Sequence, residues 1–252
     1  MGNVMGSLEW GAVDQGRMSL MEKGQICINL LLARSEDVME AALLHGGLLK
    51  QPDIELDSLM PRPGALVEDA LDLAQRTHSL PLLRHSWRTY WFSALIGTQQ
   101  KIHYDPSLLF AAAILHDIGL TEGHHPAPCE CCFAVSGGQR AHNYLMEKGH
   151  PPALTYRVGD AIARHLNIRL SRYQNHPETY LLSRGALCDL VGLGRHRIAA
   201  RLRAEVIRRF PRDGVEDALK LSPTTHCTGS RGRFISILTS GRLPHDPLNV
   251  DP

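Results

Sequence analysis

Aromatic residues are scarce, at 6% of the 252-residue chain. No stretch alternates apolar and polar residues as a half-buried strand would, and no internal repeat is visible. Long hydrophobic runs are also missing. The longest, Ile26–Ala33 and Leu108–Leu115, fall far short of the roughly 20 residues that cross a bilayer. Net charge is nearly absent, +1 from 27 basic and 26 acidic residues, so no global field draws the chain to nucleic acid or to a membrane. The first residues lack a basic segment followed by an apolar one, so no signal peptide is expected and the expected location is cytoplasmic. Six cysteines make no disulfide framework: Cys27, Cys188 and Cys227 are scattered and read as reduced, buried thiols. Only Cys129-Glu130-Cys131-Cys132 forms a cluster.

What is present is a 43% hydrophobic composition, enough for a sizeable core, with Leu and Ala recurring at helical spacing. The expected fold class is all-α. Ser35-Glu36-Asp37 reads as a helix start, closed by Gly46-Gly47. Pro61-Arg62-Pro63-Gly64 breaks the chain, which suggests a helical extension at 1–60, a main domain at 61–220, and a Gly-, Ser- and Pro-rich tail at 221–252 docked through Phe234, Ile235, Ile237 and Leu238. Within the main domain, helices are expected at 65–76, 82–96 after Pro81, 105–119 behind an Asp105-Pro106 start, 140–148 behind a Ser136/Gln139 capping box, 153–166, 177–191 and 195–210. The arginines of the last, Arg195, Arg197, Arg201, Arg203, Arg208 and Arg209, with Arg212 beyond it, read as a solvated basic face.

Pro106–Ile118 is apolar on nearly every side, so this helix should be central. Its last turn nevertheless carries His116 and Asp117. A buried carboxylate and imidazole need partners. A divalent metal held just beyond the helix end would satisfy both, although neighbouring helical residues diverge by about 100°.

Further phrases extend this pair. His85-Ser86-Trp87-Arg88-Thr89-Tyr90 puts a histidine near a helix start, and Gly185-Ala186-Leu187-Cys188-Asp189 an aspartate in an apolar helix. The order His…His-Asp…Asp resembles the HD superfamily of metal-dependent enzymes over residues 65–195. With Leu115-His116-Asp117-Ile118-Gly119-Leu120, Phe133–Ala141 and Ala161–His165, the likeness is to its cyanamide-hydratase-like branch. Two positions depart from that branch: Ala134 stands where it has Glu, and Gly138 where it has Ala.

The resemblance implies an HD helical bundle in which His85, His116, Asp117 and Asp189 hold one divalent transition metal, zinc first and iron or manganese as alternatives. It implies attack of a metal-bound hydroxide on a nitrile-, cyanamide- or amide-like carbon–nitrogen group of a small molecule. Asp117 would shuttle the proton, and Arg88, Tyr90 and His165 would serve at the site, with His165 open to a role as a further ligand. Three alternatives stand beside this one. A phosphohydrolase would need Arg84 or Arg88 at the pocket. A di-iron oxygenase would need more histidine ligands. A silent HD domain would serve as a binding module. His124, His125, Cys129 and Cys132 suggest a loop over the pocket, with a second zinc site as the sharper reading. A homodimer through the apolar N-terminal helices is compatible with the pattern.

Overall fold

Side chains of Ser7, Ser19, Asp105 and Ser230 accept from otherwise free backbone amides at four helix starts. The structure, a computed structural model, describes residues 4–121, 132–173, 176–220 and 225–249. Among them are eleven α-helices and no strand: α1 Leu8–Asp14, α2 Leu20–His45, α3 Ala65–Thr77, α4 Leu80–Gln99, α5 Pro106–Leu115, α6 Phe133–Glu147, α7 Pro152–Arg164, α8 Pro177–Val191, α9 Ala200–Arg209, α10 Val215–Ala218 and α11 Arg231–Leu238. The all-α expectation is met.

Several boundaries differ from the sequence reading, each for a local reason. Ser35 does not start a helix: its hydroxyl donates to the Leu32 carbonyl inside α2. The true start is the capping box of Ser19 and Glu22, which lets α2 run 26 residues. Ser136 likewise donates to the Phe133 carbonyl within α6 rather than capping it. Gly97 lies inside α4. In α5, Asp105 accepts from the Ser107 and Leu108 amides as expected, but the helix ends at Leu115, and a short 3-10 turn, Ile118–Leu120, follows. α8 keeps its expected bounds, ended by Gly192 at φ 74°.

α5 is the axis of the bundle, packed by α3, α4, α7 and α8, and Leu108 through Leu115 are buried throughout. α4 packs on α8, and α6 on α7. The α6–α7 contact explains one departure from the branch pattern. A Cβ on Gly138 would lie 2.3 Å from the Gly159 carbonyl oxygen, so glycine lets the two backbones meet where alanine would force them apart.

Residues before 61 share the body's core: Leu8, Trp10, Met18, Ile26 and Ala33 cluster with Cys132, Ala134, Val135 and Ala163. They are also held by charge. Of the arginines expected to face solvent, Arg201 and Arg208 are exposed, and four pair with acids of this segment: Arg195 with Asp37, Arg197 with Glu40, Arg201 with Asp53 and Arg209 with Asp57. The amphipathic pattern of 195–210 was legible, but not the acids opposite it. The C-terminal helix departs from expectation in part: Phe234 packs on the core and Ile235 is half-buried. Ile237 and Leu238 of α11 are exposed, while Arg231, Gly232 and Ser236 are buried. Arg231 takes the central place, donating to Asn167, to the Ala163 carbonyl and to Cys132 Sγ. Cys27, Cys132 and Cys188 are free thiols, Cys27 only half-buried. Cys227 is disulfide-bonded, a pairing that its isolation in sequence gave no sign of.

Candidate metal centre

Three helix ends and one position inside a helix meet at a buried cluster. His85 lies in the second turn of α4. His116 caps the C-terminus of α5, and Asp117 begins the 3-10 turn after it. Because both residues have left the α-helical ladder, the divergence of neighbouring helical side chains does not apply, and both point into one space. His165 caps the C-terminus of α7. One ligand atom each from His85, His116 and Asp117 lies within 4.8 Å of the others. His165 Nε2 is 3.6 Å from Asp117 Oδ1.

The protons on these rings are fixed by their outer partners. His116 donates from Nδ1 to the Ala113 carbonyl (2.7 Å) and His165 from Nδ1 to the Ile162 carbonyl (2.7 Å). A carbonyl only accepts, so each Nδ1 carries the hydrogen and Nε2 is the atom left to take a proton or a metal. His85 donates from Nδ1 to Asp189 Oδ2 at 2.6 Å, with the same result. His85 Nε2 and His116 Nε2 then face each other at 3.1 Å. Asp117 Oδ2 sits 3.2 Å from His116 Nε2 and 3.4 Å from His85 Nε2, buried and without a hydrogen bond. Electron-rich atoms this close repel. A proton relieves one such contact, whereas a divalent cation relieves all of them. The donor set therefore fits a metal, and its nitrogen–oxygen composition suits zinc, iron or manganese.

Asp189 is not one of the converging ligands, contrary to the sequence reading. Arg88 Nε reaches its Oδ1 at 2.7 Å and the second Arg88 nitrogen its Oδ2 at 2.9 Å, Arg212 reaches Oδ1 at 2.9 Å, and His85 holds Oδ2. With its lone pairs occupied, Asp189 orients His85 from behind. Arg88 also donates to the Phe210 and Pro211 carbonyls, so it braces Asp189 and does not face the site. Tyr90 is further away, donating to the Leu59 carbonyl at 2.5 Å. His165 lies beside the cluster, within 3.6 Å of Asp117 but outside the group of His85, His116 and Asp117 whose ligand atoms all lie within 4.8 Å. Arg212 was missed because it had been counted with the basic face.

Electrostatics follow the same division. Burial opposes ionisation of Asp117, but the His116 and His85 imidazoles outweigh it and hold the carboxyl well below its ordinary range. Burial opposes Asp189 too, and Arg88 and His85 hold it far down. Burial would depress His85, but Asp117 and Asp189 raise it overall. His165 is lowered to about 3, first by burial and then by His116. His78, buried with its Nε2 unpartnered, is lowered to about 4, mainly by burial, within the field of Asp117 and His116.

The cluster forms one wall of a cavity of about 410 Å³, which is otherwise lined largely by apolar side chains such as Leu120, Phe133, Leu187 and Leu190. His226, stacked on Phe133 with ring centroids 5.5 Å apart, also lines it; nothing in the tail's composition signalled it. Ala134 is buried in the cluster around Trp10 and is not on the lining. His124, His125 and Cys129 lie outside the described residues. Cys132 is buried and held by Arg231. No helix among the described residues is long and apolar enough to cross a membrane. No family model matches the chain, and no curated protein matches its sequence.

Proposed function

We propose that the chain is a metal-dependent enzyme of the HD type, a hydratase or hydrolase acting on a nitrile-, cyanamide- or amide-like carbon–nitrogen group of a small uncharged molecule. One observation carries the reading. Two imidazoles and the Asp117 carboxylate converge within 4.8 Å at the floor of a largely apolar cavity, with His165 Nε2 3.6 Å from Asp117 Oδ1. When bound there, a divalent ion supplies a Lewis acid and brings the pKa of water to about 7.

The chain's own residues supply the rest. His85, His116 and Asp117 would hold the ion, with His165 as a fourth donor. At a pKa of about 3, His165 stays neutral near pH 7, which suits a lone-pair donor and not a general acid. Leu187, Leu190 and Phe133 exclude water and favour an uncharged substrate. A phosphate ester would call for buried cations beside the cluster. Arg88 is fully engaged with Asp189 and two carbonyls, neither Arg84 nor Arg88 lines the cavity, and the arginines that do, Arg34 and Arg242, are solvent-exposed.

The test uses the purified full chain. Its metal content is measured, and cyanamide, simple nitriles, amides and a nucleotide panel are offered before and after chelation. Chelator-sensitive hydration or hydrolysis of a carbon–nitrogen substrate, restored by one equivalent of zinc, iron or manganese, is the expected result. Phosphate release without turnover of any carbon–nitrogen substrate would sink the proposal in favour of the phosphohydrolase reading.

A further inference from the structure

A second cavity, of about 610 Å³, shares no lining residue with the first. α2, the end of α4, the segment after α7 and the first half of α8 enclose it. Its lining carries four arginines, Arg169, Arg172, Arg184 and Arg197, against two carboxylates, Glu36 and Glu40.

Each carboxylate has one oxygen engaged, and Glu40 Oε2 is buried without a hydrogen-bond partner. Glu36 Oε1 accepts from Arg169 Nε at 2.9 Å. Glu40 Oε1 accepts from Arg197 Nε at 2.9 Å and lies 2.8 Å from a second nitrogen of the same guanidinium. Arg197 also donates to Gln99 at 2.7 Å. Arg172 contacts its neighbour Tyr173, with the guanidinium 4.7 Å from the ring centre, and is exposed.

Arg184 is different. Its side chain is 8% exposed, yet it donates no hydrogen bond among the described residues. Its Nε is buried without a partner. Its terminal nitrogens stand 3.8 Å from Glu36 Oε2 and 3.7 Å from Glu40 Oε1, beyond hydrogen-bond reach. A guanidinium held out of water without close acceptors is costly. Its planar fork matches the two oxygens of a carboxylate or phosphate. The volume falls within the roughly 300–1,000 Å³ of small-molecule sites.

We infer that this cavity is a binding site for a small organic anion, whose carboxylate or phosphate oxygens take the free fork of Arg184. The arginine excess supplies the attraction, and Glu36 is the internal competitor that a ligand displaces from the neighbourhood of Arg184. The inference does not rest on the metal-centre reading, and either can fail alone.

Titration calorimetry and thermal unfolding of the metal-loaded full chain test it, at fixed ionic strength, with inorganic phosphate, succinate and chloride as probes. Phosphate or succinate is expected to bind and raise Tm where chloride does not. A response to phosphate alone assigns a phosphate-bearing ligand, and a response to succinate alone a carboxylate. Arg184→Gln should weaken the responding probe at least tenfold with metal content unchanged. Glu36→Gln should strengthen it several-fold, because the competing carboxylate is gone. That variant decides the matter if Arg184→Gln does not fold. Responses to phosphate and succinate no larger than to chloride, or affinities unmoved by the variants that fold, would overturn the inference.

Discussion

α8 serves two cavities, and its two halves leave opposite chemistry without partners. Toward its C-terminus, Ala186, Leu187, Leu190 and Val191 line the cavity of the metal centre, where imidazole nitrogens and the Asp117 carboxylate converge. Toward its N-terminus, Tyr180 and Arg184 line the cavity where a guanidinium lacks close acceptors. The arginines make the contrast sharpest. Arg88 and Arg184 are both buried. The nitrogens of Arg88 meet two carboxylate oxygens and two carbonyls, and those of Arg184 meet none within hydrogen-bond distance. Burial alone therefore says little about a charged side chain. The sign of what is left unpaired points to the ligand, a cation at one end and an anion at the other.

The largest effect should come from the cluster itself. His116→Ala or Asp117→Ala removes a converging donor and is expected to lower metal affinity by at least about 100-fold, read by metal analysis after dialysis. Full retention in both variants would refute the site.

Next comes the arginine pair. Arg88→Met leaves Asp189 buried and short of its main counter-charge, and should destabilise the fold by about 3–5 kcal/mol. Arg184→Met removes a cation in ion-pair range of Glu36 and Glu40 but hydrogen-bonded to neither, and should cost about 1 kcal/mol or less. Urea unfolding of the two variants measures the difference, and equal losses would erase the contrast between the two ends of α8.

The metal end titrates, whereas guanidinium groups do not. His78 and His165 have folded values of about 4 and about 3, below the ordinary 6.5. As pH falls from 6.5 toward 4, the unfolded chain binds protons that the folded chain refuses, so the metal-free protein loses stability. His85, whose value is raised, keeps its full contribution across that window and loses it only as pH rises through its folded value. Asp117 and Asp189, both depressed, matter only below the ordinary 3.8. The His78 share is about 3 kcal/mol near pH 4. His78→Gln should flatten the dependence of Tm on pH over this range in metal-stripped protein. An unchanged slope would show that His78 is not held neutral.

The smallest effect is expected behind the cluster. Asp189→Asn keeps shape but loosens the hold on His85 and should weaken metal binding by about 10- to 100-fold. A loss as complete as that of Asp117→Ala would return Asp189 to the ligand set.

Much of the fold was legible because its signals are local. The Asp105-Pro106 start of α5, the Pro177 start and Gly192 stop of α8, and the apolar run at 108–115 each depend on residues a few positions apart. Misplaced starts arose where a serine had two local uses: Ser35 and Ser136 bond backward to carbonyls inside a helix instead of capping one. For the site, the sequence by itself determined that His116 and Asp117 would lie at the end of a buried helix and need partners. Tertiary structure decided which residues those are. It turned His85 and His165 inward, because a carboxylate and a backbone carbonyl hold their Nδ1 atoms. It put Asp189 behind His85, because Arg88 and Arg212 converge on that carboxylate. It also set Arg195, Arg197, Arg201 and Arg209 against acids of the first 60 residues, and left Arg184 beyond hydrogen-bond reach of Glu36 and Glu40. Apart from Arg212–Asp189 and the local His165–Ile162 contact, these pairings join residues a hundred or more positions apart, and a sequence pattern carries no distance between them.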